Sequence, residues 1–312
     1  MTWLLLAAGL AVAAGLGLAG AVCLPGTRWR AGLEPRARAR LVAAGLSGAV
    51  ALTYVGLALL AVPAVAGVLP RPLLAAWPRL LAGPGPGGAA VAWLAAALLR
   101  VSAGVVTVHA WRASRERRVL RVEPGIGRHE HRDGFDLVTL PRTALVAYSL
   151  GGHRPQVVVS QGLCDCLDDE GLTAVLAHET AHLRAGHDRW LHLARVAEAA
   201  LWFAPWARPA AGMLRLWLER WADEDAARQV GRHALRAALL TAAGIEPATP
   251  LAAALSGAGA LAERITALAA GPPEGTGGLR GAAWLAVTAG TAVAGSGALV
   301  AALGVLAHLC AA

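Results

Sequence analysis

Residues 172–188 read LTAVLAHETAHLRAGHD, and the rest of the chain is organised around them. At their centre stands His178-Glu179-Thr180-Ala181-His182, an HExxH pattern. On an α-helix, residues four apart lie one above the other, so His178 and His182 can share one metal ion. Two neutral imidazoles and one further ligand leave a tetrahedral zinc with an open position for water. Glu179 stands next to the first ligand and can take that water's proton as general base. The zinc lowers the water's pKa and polarises a carbonyl. Ala174, Val175, Leu176 and Ala177 before the pattern are apolar, as a buried active-site helix requires.

A third ligand is available downstream. Leu218-Glu219-Arg220-Trp221-Ala222-Asp223 gives an ExxAD pattern, which puts Glu219 and Asp223 on one helical face. Glu219 completes the zinc shell, and Asp223 holds a ligand imidazole through its other nitrogen. The competing HExxHxxGxxH arrangement needs a third His six residues after the second. Here Gly186 and His187 each fall one place off, and Asp188 fills the required position. On a continuous helix His187 would point about 180° away from His178. The pattern therefore selects Glu219.

The run VVVSQGLCDCLDDEGLTAVLAHETAHLRAGHD, followed by ERWADEDAA and later by AERITAL, resembles the bacterial integral-membrane zinc peptidases. The BlaR/MecR antirepressor-peptidase family, in a short form, resembles it most; the HtpX-like and CAAX-protease group is more distant. The likeness covers about residues 144–268. It implies one Zn2+ per chain held by His178, His182 and Glu219, with Glu179 as base. It also implies a protein or peptide substrate, for example a transcriptional repressor. The chain departs from the receptor members in one respect, since no sensor domain is expected after its last span.

More than half of the 312 residues are hydrophobic and only 15% are charged, which suits a membrane protein. Every basic side chain is Arg, and the net charge is +8. Such a charge would suit nucleic acid, but the Arg residues cluster beside hydrophobic spans. There they serve as topology signals and anchors for anionic lipid, and no direct nucleic-acid partner is expected. Four cysteines make no disulfide framework: Cys23 and Cys310 end apolar spans, and Cys164 and Cys166 form a CxC pair that reads as small packing residues, with a regulatory or metal-binding thiol pair as the alternative.

Four spans are expected, over about 3–24, 41–69, 88–111 and 282–309. The first is retained, because Arg28 and Arg30 follow it and no charge precedes it. Arg36, Arg38 and Arg40 place the first loop inside, and Arg112, Arg115, Arg117, Arg118 and Arg121 place residues 112–281 inside. The result is a mainly α, multi-pass plasma-membrane protein with both termini extracytoplasmic. Residues 1–111 carry three helices, 112–281 form a cytoplasmic α+β zincin-type domain, and 282–312 hold the fourth helix. Arg100, midway along the third span, either faces a polar interior or snorkels.

Within the catalytic domain, residues 113–171 read as the β part. Ala144–Leu150 and Gln156–Ser160 read as strands, and the resemblance implies that the first is the edge that would accept an extended peptide. His129-Glu130-His131 reads as a solvated loop. Residues 190–217 are apolar enough to tempt a further span. One crossing would put His182 and Glu219 on opposite sides, so this segment must return, as an interfacial helix or a re-entrant hairpin turned at Pro205 or Pro209. Its Trp190, Trp202, Trp206 and Trp217 suit the headgroup level. Arg228, Arg232 or His233 could stabilise an oxyanion, or sit as solvated charges. The resulting function is a membrane-bound zinc endopeptidase acting at the cytoplasmic face. Its alternatives are an HtpX-type quality-control protease and a non-catalytic signalling or scaffold protein on a peptidase fold. The complete HExxH and ExxAD set argues against the last.

Overall fold

The computed structural model describes residues 33–68, 86–132, 134–243 and 258–271. The spans expected at 3–24 and 282–309, most of the 70–87 loop, Cys23 and Cys310 lie outside the described residues.

The described chain is mostly helical. Helix α1 runs Pro35–Val68 and α2 runs Pro86–Leu120. Over Pro35–Val65 and Gly88–Leu120 they are long and apolar enough to cross a membrane, with only 33% and 17% of their most apolar windows buried. Trp93, Leu94, Val101 and Trp111 stand exposed along α2, as does Arg100. Both helices overrun the expected spans at their polar ends. Helix α1 starts at Pro35 because Arg38 lies over the Trp217 ring, 4.4 Å from its centroid, and Arg36 and Arg40 lie over Trp221 at 5.3 and 5.7 Å. These cation–π contacts hold its first turn against Trp217 and Trp221. Helix α2 continues to Leu120 through ASRERRVL, whose Ala, Arg and Glu are good helix formers. Residues 113–120 are therefore helical, not part of the β region.

Strands β1 (Arg128–Arg132), β2 (Phe135–Leu140), β3 (Ala147–Leu150) and β4 (Gln156–Ser160) form one sheet in the order β1-β2-β4-β3. β2 pairs with β4 in parallel, Val138 opposite Val158, and the two outer pairings are antiparallel. Val157, Val158 and Val159 are all buried, so β4 is covered on both faces. In the segment His129-Glu130-His131, Glu130 and His131 are exposed and His129 is half-buried, and the segment is an edge strand rather than a loop. Strand β3 begins three residues later than expected. Ser160 draws the chain in at Val146: its N–H donates to the Val146 carbonyl and its Oγ accepts from the Val146 N–H, both at 2.9 Å. Just after it, Gly162 packs so closely that a Cβ would lie 2.1 Å from the Thr143 carbonyl oxygen.

Helix α3 (Gln161–Cys166) is capped by Ser160, and its Cys164 packs against the sheet while Cys166 is exposed. Helix α4 (Asp169–Ala185) is capped by Asp168, which accepts from the Gly171 N–H at 2.8 Å, with Asp169 and Glu170 in the first turn. Leu176 and Leu183 of α4 lie on the sheet. Its Ala174 and Ala177 meet Ala226 and Ala227 of α6 (Ala207–Val230) and Leu235 of α7 (Arg232–Ala243). Helix α8 (Ala258–Ala269) closes this cluster through Leu268. Small alanines let α4 and α6 approach closely, and that places Glu219 within reach of His178.

Helix α5 (His187–Ala200) and α6 form a hairpin that returns to the side it left. Its turn packs Phe203 against Leu57, Ala61, Ala95 and Leu99 of α1 and α2. The Tyr54 hydroxyl donates to the Ala200 carbonyl at 2.9 Å, and the Trp202 indole donates to Ser102 at 3.3 Å. The hairpin is thus set deep along both long helices. Trp217 is buried beneath Arg38 and Arg220, not displayed at a surface level.

Candidate metal centre

The i, i+4 spacing on α4 stacks His178 over His182 with their Nε2 atoms 3.1 Å apart. Glu219, from α6, brings Oε2 to 3.5 Å from His178 Nε2 and Oε1 to 3.6 Å from His182 Nε2. One ligand atom from each of the three residues lies within 4.8 Å of the others, so the group could hold a metal ion. Two imidazole nitrogens and a carboxylate oxygen are a donor set that suits zinc.

A shell of carboxylates and one cation surrounds these three. Asp223, one turn beyond Glu219, places Oδ1 3.1 Å from His178 Nδ1. The distance is that of an ion pair, while the ring N–H is not aimed along an aligned hydrogen bond. Arg264 of α8 grips Asp223 with two bonds of 2.7 Å, from Nε to Oδ2 and from Nη2 to Oδ1. Its Nη1 lies 3.0 Å from Glu219 Oε2. The sequence offered one hint of Arg264, a cation on an apolar helix face, but nothing that named its partners. In AERITAL it falls three residues after Leu261 and four before Leu268, on the helix's apolar face.

Burial alone would raise the pKa of Glu219 and of Asp223. Arg264 and the imidazoles outweigh it and hold both below the usual carboxylate range. Burial also opposes charge on His178, but the Asp223 and Glu219 carboxylates push its pKa up to about 10. His182 is lowered, chiefly by burial. Glu179 is half-buried and makes no hydrogen bond or ion pair with any described residue, which leaves its carboxylate available. With His178 as the neutral imidazole a metal requires, Glu179, Glu219 and Asp223 set against Arg264 give the centre a formal charge of −2, which a divalent cation neutralises.

The structure brings one further side chain here. The expectation for His187 assumed a continuous helix, but Gly186 ends α4 in the left-handed region, with φ 61° and ψ 41°. Its N–H closes back on the Leu183 carbonyl, and a new helix starts at His187. The turn swings His187 inward, where it is fully buried with Nδ1 2.9 Å from His182 Nδ1. Burial, then His182, hold its pKa at about 3. Arg228 and His233 are not drawn in: Arg228 pairs with Asp225, Arg232 pairs with Glu224, and His233 is exposed on α7.

Residues 110–211 match the model of Peptidase family M48. No curated protein and no solved structure matches the chain. The matched stretch takes in the end of α2, the sheet, both HExxH histidines, Glu179 and His187, and stops before Glu219 and Asp223. It bears on the class of enzyme and not on a BlaR/MecR or HtpX-like grouping. The likeness to that family supports a metallopeptidase acting on a protein or peptide.

Proposed function

We propose that this chain is a membrane-bound, zinc-dependent endopeptidase that cleaves a protein substrate at the cytoplasmic membrane face. The observation that carries the reading is the convergence of His178, His182 and Glu219 on one point, in a largely buried cluster of net negative formal charge beside an unpaired Glu179. A zinc ion held there supplies Lewis-acid polarisation of the scissile carbonyl and acidifies a water molecule. The remaining work falls to side chains. Glu179 accepts the proton of the attacking water as its oxygen adds to the carbonyl carbon. The same carboxylate passes that proton to the leaving amine as the C–N bond breaks. Asp223 and Arg264 keep His178 and Glu219 in place. Strand β3 supports the choice of an extended peptide: it is the sheet's outer strand on the side that packs against α4. A peptide adding there would gain main-chain bonds within reach of the centre. A regulatory substrate, such as a transcriptional repressor in the manner of the BlaR/MecR family, would fit residues 112–281 if they face the cytoplasm, as the arginine pattern leads one to expect.

Two substitutions test the reading. Glu179→Gln keeps size and hydrogen bonding but removes the base. Zinc content and folding are expected to persist while proteolysis of a co-expressed substrate falls by at least about 10²–10⁴-fold. His178→Ala is expected to lose zinc and activity together. A Glu179→Gln protein that still supported every wild-type phenotype would remove peptide hydrolysis as the function.

A further inference from the structure

We infer that His187 is the positioning residue for His182, turning that ring so that its Nε2 faces His178 and Glu219. The inference rests on the metal-centre reading and adds to it a second residue that orients a ligand. His182 Nε2 points at His178 Nε2, 3.1 Å away, and at Glu219, 3.6 Å away. A ring that ligates through Nε2 carries its hydrogen on Nδ1, and that hydrogen must go somewhere. The atom 2.9 Å from it is His187 Nδ1. Only one hydrogen can lie between two ring nitrogens, so His187 accepts at Nδ1 and carries its own hydrogen on Nε2.

His187 is fully buried, and its Nε2 has no hydrogen-bond partner among the described residues. The ring packs against Trp221, with centroids 4.7 Å apart and planes at 65°. Burying an imidazole whose second nitrogen finds no acceptor is costly, and a residue needed only for packing would be apolar here. The two histidine ligands are thus backed differently, His178 by the Asp223 carboxylate and His182 by an uncharged ring. Gly186 makes this arrangement available, because its left-handed turn breaks the helical phase that would carry His187 away.

The test uses the full chain in detergent micelles with three variants at this site. His187→Phe fills the space beside Trp221 but accepts nothing; His187→Asn offers an acceptor near the Nδ1 position; His187→Gln offers one near the Nε2 position. Zinc affinity is read by chelator competition, ligand geometry by the visible spectrum of the cobalt-loaded protein, and folding by the melt of the zinc-free protein. His187→Phe is expected to weaken zinc about 10–100-fold and shift the cobalt bands without lowering the zinc-free melt. His187→Asn is expected to restore both readouts. Wild-type zinc affinity and cobalt bands in His187→Phe would overturn the inference and leave His187 a packing residue. Should that variant not fold, equal zinc affinity of the Asn and Gln variants would overturn it instead. Unchanged zinc binding in His178→Ala would count against the metal centre itself, whatever the His187 variants do.

Discussion

Arg264 shows how one side chain can hold a charged centre together. It is 7% exposed and contacts both Glu219 and Asp223. Removing one partner of a buried ion pair costs about 3–5 kcal/mol, because the other is left uncompensated. Arg264→Leu is expected to destabilise the zinc-free protein by about that much, measured by urea unfolding. Its carboxylates would then lack their cation, so added zinc should raise its melting temperature more than it raises the wild type's. The same residues set a pH dependence. His178, raised from 6.5 to about 10, stabilises the zinc-free fold fully below 6.5, and this contribution is lost as pH rises through about 10. Glu219 and Asp223 are lowered, so their contribution is present above the ordinary carboxylate range and lost as pH falls through their folded values. Melts of zinc-free protein should therefore decline in both directions from mildly acidic pH. Zinc must displace the His178 proton, so calorimetry near pH 7 in buffers of differing ionisation enthalpy should show about one proton released per zinc bound.

At the level of elements, the joint between α4 and α5 carries the most consequence. Gly186 sits at φ 61°, and a Cβ there would fall 2.6 Å from the Arg189 guanidinium, a flexible group able to move away. The cost of Gly186→Ala is then mainly the left-handed backbone, about 1 kcal/mol. Gly186→Asn should cost less, since Asn tolerates that region. If the joint positions His187, Gly186→Ala should also weaken zinc binding beyond its effect on stability. The hairpin of α5 and α6 has a different logic. Glu198 of α5 pairs with Arg208 at 3.1 Å and with Arg215 at 2.8 Å on α6, but Arg208 is well exposed. Such pairs contribute under about 1 kcal/mol, so the hairpin is held by Phe203, Leu201 and the alanines buried against α1.

Over the whole molecule, α1 and α2 tie a membrane-type frame to the catalytic region. Arg117 of α2 reaches Asp188, with Nη1 3.6 Å from Oδ2, and Arg121 donates to the Arg154 and Gly151 carbonyls. The sheet and the start of α5 are thereby fixed to the end of the apolar run. With the Arg-rich ends of both helices meeting the catalytic region, the metal centre should lie on the cytoplasmic side. A reporter inserted near Gly275 is expected to behave as cytoplasmic and one fused after Ala312 as extracytoplasmic. The opposite pattern would move the centre across the membrane and remove an intracellular repressor from consideration.

The i, i+4 spacing put His178 with His182 on one helix face and Glu219 with Asp223 on another, since such pairs need no tertiary information to share a face, but the meeting of the two faces is a product of the folded chain. The return of residues 190–217 was also legible, since the two faces must meet to share a metal. Strand boundaries were less so: a side-chain bond from Ser160 displaced Val146 from the ladder, and no local pattern records such a bond. Arg264 and His187 needed the folded chain. The first lies in a short helix far along the sequence, and only packing brings its guanidinium to Glu219 and Asp223. The second turns on one glycine dihedral, which places His187 against His182 where an unbroken helix would have pointed it to the opposite side.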